Sequence, residues 1–364
     1  LGYRPGDVAA LAAALVDSAP ATDIGPVSAA SIEAARALVQ TPGAVVILGR
    51  PSTAEAHNFV ADAASVLAAK LPGVTFLSAL RRANVHGALA AGLRPSGEGM
   101  DTGAMLRAAA NGRLSTLVLL GADPATDVPD AGLAQRGLAG AGFTIAVTSS
   151  PTASTGRADV VLPAATFAEK AGTTTNIEGR VTTLGQKVTP PGVAREDWMI
   201  AAELAVALGG DLGFETIEDV AAAAGTDVEE VRGDGAVLAL PSPVSALSAS
   251  PDVPVPTLDN YSLRLVAGRM LYDEGSAVAA SASLANLKKP PVLRANPRDL
   301  DRLGVTTGGQ VRVSGAHASF IVKVDADATV PVGSAWMPAN VAADDARALI
   351  DASGPVTDIR IENI

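Results

Sequence analysis

Residues 158–187 read ADVVLPAATFAEKAGTTTNIEGRVTTLGQK. Val160, Val161 and Leu162 form a short apolar run that Pro163 ends, the pattern of a buried strand. The stretch Gly172-Thr173-Thr174-Thr175-Asn176 then reads as a polar loop running into Glu178-Gly179-Arg180. Hydroxyls, an amide, glycines and one Arg suit a loop that grips a polar ligand or pins two segments together. Chemistry alone favours the second role, a hydrogen-bonded structural loop.

Working outward, apolar runs at 45–48, 74–77, 116–120 and 143–147 join 159–162 as candidate strands. Helical patterns separate them. Ser52 with Glu55 three residues on reads as a capping box that opens a helix to about Leu71. Further helices are expected from Asp101 to about Asn111 and over 131–138. Strands alternating with helices imply parallel pairing and right-handed crossovers, so the five strands are expected to form one doubly wound α/β layer. Residues 1–43 read as one or two Ala-rich helices broken at Pro20, Gly25-Pro26 and Pro42-Gly43. Residues 8–16 faintly mimic a signal peptide, but Asp7 and Asp17 argue for a helix. The chain opens at Leu1 and not at Met, which reads as a fragment of a longer protein.

Beyond the loop, 197–209 reads as a helix whose apolar face is Trp198, Ala201, Ala202, Leu204, Ala205 and Leu208. Short helices follow at 218–224 and 228–232. Five prolines and several serines between 233 and 259 read as a linker. The last part changes period. Leu263, Leu265 and Ala267, then Val311 and Val313, then Phe320, Val322 and Val324 alternate with other residues, the pattern of short strands. A brief helix over 297–303 should end at Gly304, and a small β-barrel fits best. The expected division is therefore 1–43 helical lead-in, 44–232 α/β, 233–259 linker and 260–364 barrel.

Composition excludes several functions. A net charge of −11 disfavours nucleic acid and anionic membrane surfaces, and 3% aromatic residues leave little to stack bases on. With no Cys, the chain holds no thiolate-ligated iron–sulfur cluster and no disulfide. No apolar run is long enough to span a bilayer. His57, His86 and His317 lie far apart, in no metal-binding spacing. Pro95-Ser96-Gly97 has no strand before it, so a nucleophile elbow lacks support. The region 81–103, with Arg81, Arg82, Asn84, His86 and Arg94, is Gly-rich and reads as an irregular solvated loop before it reads as an anion contact. No GxGxxG follows any strand. Gly49-Arg50-Pro51-Ser52 and Gly121-Ala122-Asp123-Pro124 stand at the strand ends, where open α/β sheets bind ligands.

The order Ala-Asp-Val-Val-Leu-Pro, Glu169, then Gly-Thr-Thr-Thr-Asn-Ile-Glu-Gly-Arg resembles the molybdopterin oxidoreductase superfamily. The continuation Gly185-Gln186-Lys187, Pro190-Pro191-Gly192 and Arg195-Glu196-Asp197-Trp198 resembles, more narrowly, the G subunit of bacterial NADH:quinone oxidoreductase, respiratory complex I. Asn296-Pro297-Arg298-Asp299-Leu300 and Gly308-Gly309-Gln310-Val311 resemble the dinucleotide-binding barrel that ends molybdopterin enzymes. The resemblance covers roughly residues 44–340. It implies a mostly parallel α/β region followed by a barrel, in a component of the peripheral arm on the cytoplasmic side of the plasma membrane. It implies electron transfer from NADH to quinone by the parent complex, with other peripheral-arm subunits as partners and iron–sulfur clusters in an upstream region. Family members that bind the pterin usually carry Asn where this chain has Asp123. Asp123, with Asp127 and Asp130 nearby, would repel a pyrophosphate. The expectation is a structural region with no catalytic residue, no metal and no cofactor. The runner-up is a pterin-dependent oxidoreductase of the formate dehydrogenase kind, in which Thr174, Asn176, Glu178, Arg180 and Asn296 would line the cofactor. A free-standing nucleotide-binding module lacks a phosphate loop.

Overall fold

The computed structural model describes residues 1–79, 83–224 and 253–364. Arg81, Arg82, the expected helix at 228–232 and linker residues 233–252 lie outside them. In chain order the strands are β1 (Val45–Leu48), β2 (Thr75–Ser78), β3 (Thr116–Leu120), β4 (Phe143–Thr148), β5 (Val160–Pro163), β6 (Gly172–Thr175) and β7 (Val181–Leu184). Then come β8 (Ser262–Arg269), β9 (Val292–Ala295), β10 (Gln310–Ser314), β11 (Ser319–Ala326), β12 (Ser334–Ala339) and β13 (Asp358–Asn363). The chain divides into two units. One comprises Leu1–Ala79, Thr126–Gly132 and Ser242–Ile364, the other Leu80–Ala125 and Leu133–Pro241.

In the first unit, helices Val8–Val16, Ala29–Val39 and Phe59–Lys70 bury Leu11, Leu15, Ile32, Ala63 and Leu67 together. Val46 and Phe76, on one face of the parallel β1–β2 pair, pack against this cluster. The helix expected from Ser52 begins at Phe59, with the Asn58 side chain accepting from Ala61 N at 3.2 Å. Half of the capping box forms, since Ser52 N donates to Glu55 Oε2 at 3.1 Å. The Ser52 hydroxyl accepts from Ala54 N at 3.1 Å and from Ala267 N of β8 at 2.9 Å, and Glu55 N donates to Ser52 O at 3.1 Å. These bonds close a turn at 52–55, and the helix starts only at Phe59.

The barrel is closed, in the order β10-β11-β9-β12-β8-β13. Alternate residues point inward, so Leu263, Leu265, Leu293, Val311, Val313, Val324 and Met337 are fully buried. Pro338 is tolerated in β12 because pairing with β9 covers only Ala335 and Trp336. The helix Pro297–Leu303 ends on Gly304 in the left-handed conformation, φ 66°, which Gly adopts without a Cβ penalty.

In the second unit β3, β4 and β5 pair in parallel. Leu117, Leu119, Leu138 and Ala146 form the core of that layer. Helix Thr102–Ala110 meets helix Ala131–Gly140 at close range: a Cβ on Gly140 would lie 2.3 Å from Ala109 O. The expected single five-stranded layer is thus two sheets, β1–β2 and β3–β4–β5. Periodicity finds strands but not their neighbours, and the chain passes into the second unit between β2 and β3. Residues 81–103 are not wholly irregular, since Val85–Ala90 is a helix. In helix Asp197–Ala207 only Ile200 is buried, while Leu208 just beyond it is exposed.

Candidate functional site

The expected polar loop is a strand. Gly172–Thr175 pairs antiparallel with Val181–Leu184, placing Thr173 opposite Thr183 and Thr174 opposite Thr182. Thr is β-branched and suits a pleated hairpin, and Gly179 supplies the φ of +82° that the turn requires. Asn176 organises that turn. Its Oδ1 accepts from Glu178 N and Arg180 N, both at 2.9 Å. Asn176, Glu178 and Arg180 are exposed. The expectation that Asn176 pins distant segments is therefore corrected, because an Asn that closes a turn on itself has no acceptor left for elsewhere. The long-range pin is Asn84, whose Oδ1 accepts from the N–H of buried Thr175 at 2.8 Å. Pattern alone sets Asn84 in a solvated loop; its position just before the helix Val85–Ala90 is the signal that could have found it.

At the end of β3, Gly121 takes φ 60° and donates to Val147 O at 2.8 Å. The turn brings Asp123 to Ser154, and both are buried. Asp123 Oδ1 accepts from Ser154 N at 3.1 Å and from the Ser154 hydroxyl, whose oxygen in turn accepts from Ala125 N at 3.1 Å. The carboxylate thus staples the loop after β3 to the loop after β4. Asp127 and Asp130 belong to the first unit. Asp127 accepts from Arg269 Nη1 at 3.1 Å, and Asp130 from Ala352 N at 3.2 Å.

Asn296, also in the first unit, caps the helix Pro297–Leu303. Its Oδ1 accepts from Arg298 N at 3.1 Å and its Nδ2 donates to Val330 O at 2.9 Å. At the end of β1, Arg50 Nε donates to Ala79 O at 3.1 Å.

Two further features escape sequence reading. Arg269 grips Asp273 with two donors, at 2.6 and 3.1 Å, a bidentate pair with a buried carboxylate. Asn340 has φ 63°, unusual for a residue with a Cβ, and its buried Nδ2 has no hydrogen-bond partner among the described residues. Nothing in a one-dimensional pattern marks either.

Titration is perturbed where carboxyls are buried. Desolvation pushes Glu55 above its usual range against the pull of two backbone donors, Gly6 N and Ser52 N. Asp358 is likewise raised by burial, although Arg264 Nε donates to it at 2.7 Å. Asp259 is exposed and held down at about 2, first by the Ser262 side chain and then by the Tyr261 N–H. His57 meets Asp62 at 2.6 Å and His317 meets Asp351 at 3.5 Å. Among the described residues no group of three or more His, Asp or Glu is arranged to hold a metal ion, and no helix is long and apolar enough to cross a membrane.

A parallel α/β region followed by a closed six-stranded barrel is the molybdopterin oxidoreductase fold, and the chain carries two domains of that superfamily. Residues 28–207 match the molybdopterin oxidoreductase family and residues 263–359 the molydopterin dinucleotide binding domain. Among curated relatives, the chain is similar to the G subunit of NADH-quinone oxidoreductase from Mycobacterium tuberculosis, 29% identical over 84% of this chain and 40% of that protein. It is also similar to the NADPH-Fe(3+) oxidoreductase subunit alpha of Geobacter sulfurreducens, 28% identical over 74% of this chain and 32% of the relative. The assimilatory nitrate reductase catalytic subunit of Bacillus subtilis is 26% identical over 72% of this chain and 42% of its own length. The fold is also that of acetylene hydratase from Pelobacter acetylenicus, with TM-score 0.57 and 17% identity over 77% of this chain and 50% of that one. The chain spans about a third to two fifths of the length of these curated relatives.

Proposed function

We propose that residues 1–364 form a structural, non-catalytic region of the G subunit of an NADH:quinone oxidoreductase, held among peripheral-arm subunits on the cytoplasmic face of the bacterial plasma membrane. The observation that carries this reading is the buried Asp123–Ser154 staple. A pterin dinucleotide needs donors for its pyrophosphate at such a strand end. Here the side chain is an acceptor already engaged by two donors of Ser154. Asn176 and Asn296 are likewise engaged, by their own turn and by a helix start. Thr174 stands in a hairpin ladder, and Glu178 adds a negative charge. These residues do not fit a pyrophosphate-bearing group, so no step is assigned to one. Electrons from NADH to quinone would pass through iron–sulfur clusters held outside these residues, which contain no Cys.

A second reading has its own support. The barrel matches a dinucleotide binding domain, and a nitrate reductase catalytic subunit is among the relatives. On that reading the chain belongs to a pterin-dependent oxidoreductase. Metal mass spectrometry and oxidised-pterin fluorescence on the purified parent complex separate the two. The structural reading expects neither molybdenum nor pterin, and a stoichiometric signal of either would overturn it.

A further inference from the structure

The second unit contains a cavity of about 370 Å³, within the range of small-molecule pockets. One wall is the β6–β7 hairpin. The others are the helices Val85–Ala90 and Ile217–Ala223. The hairpin face turned to the cavity carries Thr173, Thr175 and Thr183, with Thr173 and Thr183 directly opposite one another. Ala88 and Val220, on the two helices, supply the facing methyl surface.

Two details set this cavity apart from a packing gap. Thr175 is 2% exposed and lines the cavity, with its N–H fixed by Asn84. A hydroxyl held on the cavity wall can both donate to and accept from a ligand's polar edge. Gly87 holds the helix against Asn84: a Cβ there would sit 2.2 Å from Asn84 Oδ1. The wall is thus drawn up to the hairpin instead of collapsing into the space.

We propose that this cavity binds an uncharged, ring-sized molecule with one polar edge, its hydroxyl or carbonyl meeting the threonine row and its apolar body lying on Ala88 and Val220. The charge of the lining selects the class. No Lys, Arg or His is among the described residues that line it, and Glu218 is. Anions, phosphates included, are therefore disfavoured. This site is independent of the pterin question, since neither Asp123 nor Asn176 lines it.

The test uses the full chain and benzyl alcohol as probe, with benzoate as the anionic control, followed by saturation-transfer NMR and titration of chemical shifts. Benzyl alcohol should bind and benzoate should bind at least about fivefold more weakly. Thr175→Val keeps the β-branched shape and removes the hydroxyl, so affinity should fall about 2- to 10-fold. Ala88→Phe should abolish binding by filling the space. If Ala88→Phe does not fold, the Thr175→Val titration decides alone. Absence of benzyl alcohol binding, equal binding of benzoate, or unchanged affinity in Thr175→Val would each overturn the proposal.

Discussion

The barrel and the β3–β4–β5 sheet solve the same problem differently. Every barrel strand has a neighbour on both sides, and the inward residues are sealed from water by the strands themselves. The sheet is covered unevenly. Leu117, Leu119 and Ala146 are buried on one face; on the other, Val147 is buried with Ala164 and Ile200, while Val118 and Leu120 of β3 are 53% and 61% exposed. Parallel sheets ordinarily carry cover on both faces. The barrel's stability is therefore internal along every strand, whereas on β3 only alternate apolar side chains are buried. Equal substitutions in the two places should have very unequal effects.

The largest expected effect is in the barrel. Leu265→Ala should destabilise its unit by about 2–5 kcal/mol, because a fully buried Leu leaves a cavity that closed strands cannot collapse. Leu120→Ala, the same chemistry at an exposed position of β3, should stay within about 0.5 kcal/mol. Urea unfolding of both variants measures the contrast, and equal losses would mean that Leu120 is covered. Next comes the sheet's own staple. Asp123→Ala strands the buried Ser154 donors and should cost about 1–3 kcal/mol, seen as a lower midpoint with unchanged slope.

The third effect is read as a pH slope. The folded-state pKa of Glu55 lies above its unfolded value, so folding takes up a proton between the two. That contribution to stability is complete below the unfolded pKa of about 4.3 and is lost as pH rises through the folded value. Asp345 and Asp358 are raised too and act with the same sign. Thermal melts of the parent and of Glu55→Gln across that window should show a flatter dependence in the variant. An unaltered slope would remove Glu55 from the account. The smallest effect is at the hairpin turn. Asn176→Ala loses two local bonds on an exposed turn, worth about 1 kcal/mol or less. The assembled parent complex, quantified on a native gel, should be close to normal in amount.

Local pattern makes much of this fold legible. The run at 116–120, the helix between Asp101 and Asn111, the helix over 297–303 and its Gly304 stop are all where periodicity and end signals put them. Three barrel strands escape that reading. Val292–Ala295 is only four residues long, Ser334–Ala339 contains Pro338, and in Asp358–Asn363 the alternation rests on Ile359 and Ile361 alone. Ser52 misleads because the same local bonds that open a helix also close a turn, and its hydroxyl is shared with Ala267, far along the chain. The Thr-rich stretch misleads because threonine serves a loop and a strand equally well. At the candidate site, the identity of Asp123 is readable as a departure, but its burial against Ser154 is not. That depends on a contact across 31 residues of sequence.

The first unit is assembled from both ends of the chain. Arg264 of β8 donates to Pro5 O at 3.1 Å, across 259 positions, and Gly6 N reaches Glu55. Residues 80–125 and 133–241 are made between those ends. On a ribosome adding about 5–20 residues each second, residues 1–79 wait roughly 10–40 s for β8. Over that interval the cluster of Ile32, Val46 and Phe76 is already closed by its own helices, while Ala54, which belongs to the barrel's core, has no barrel to join. The turn at Ser52 and Ala54 is thus made early and seated late.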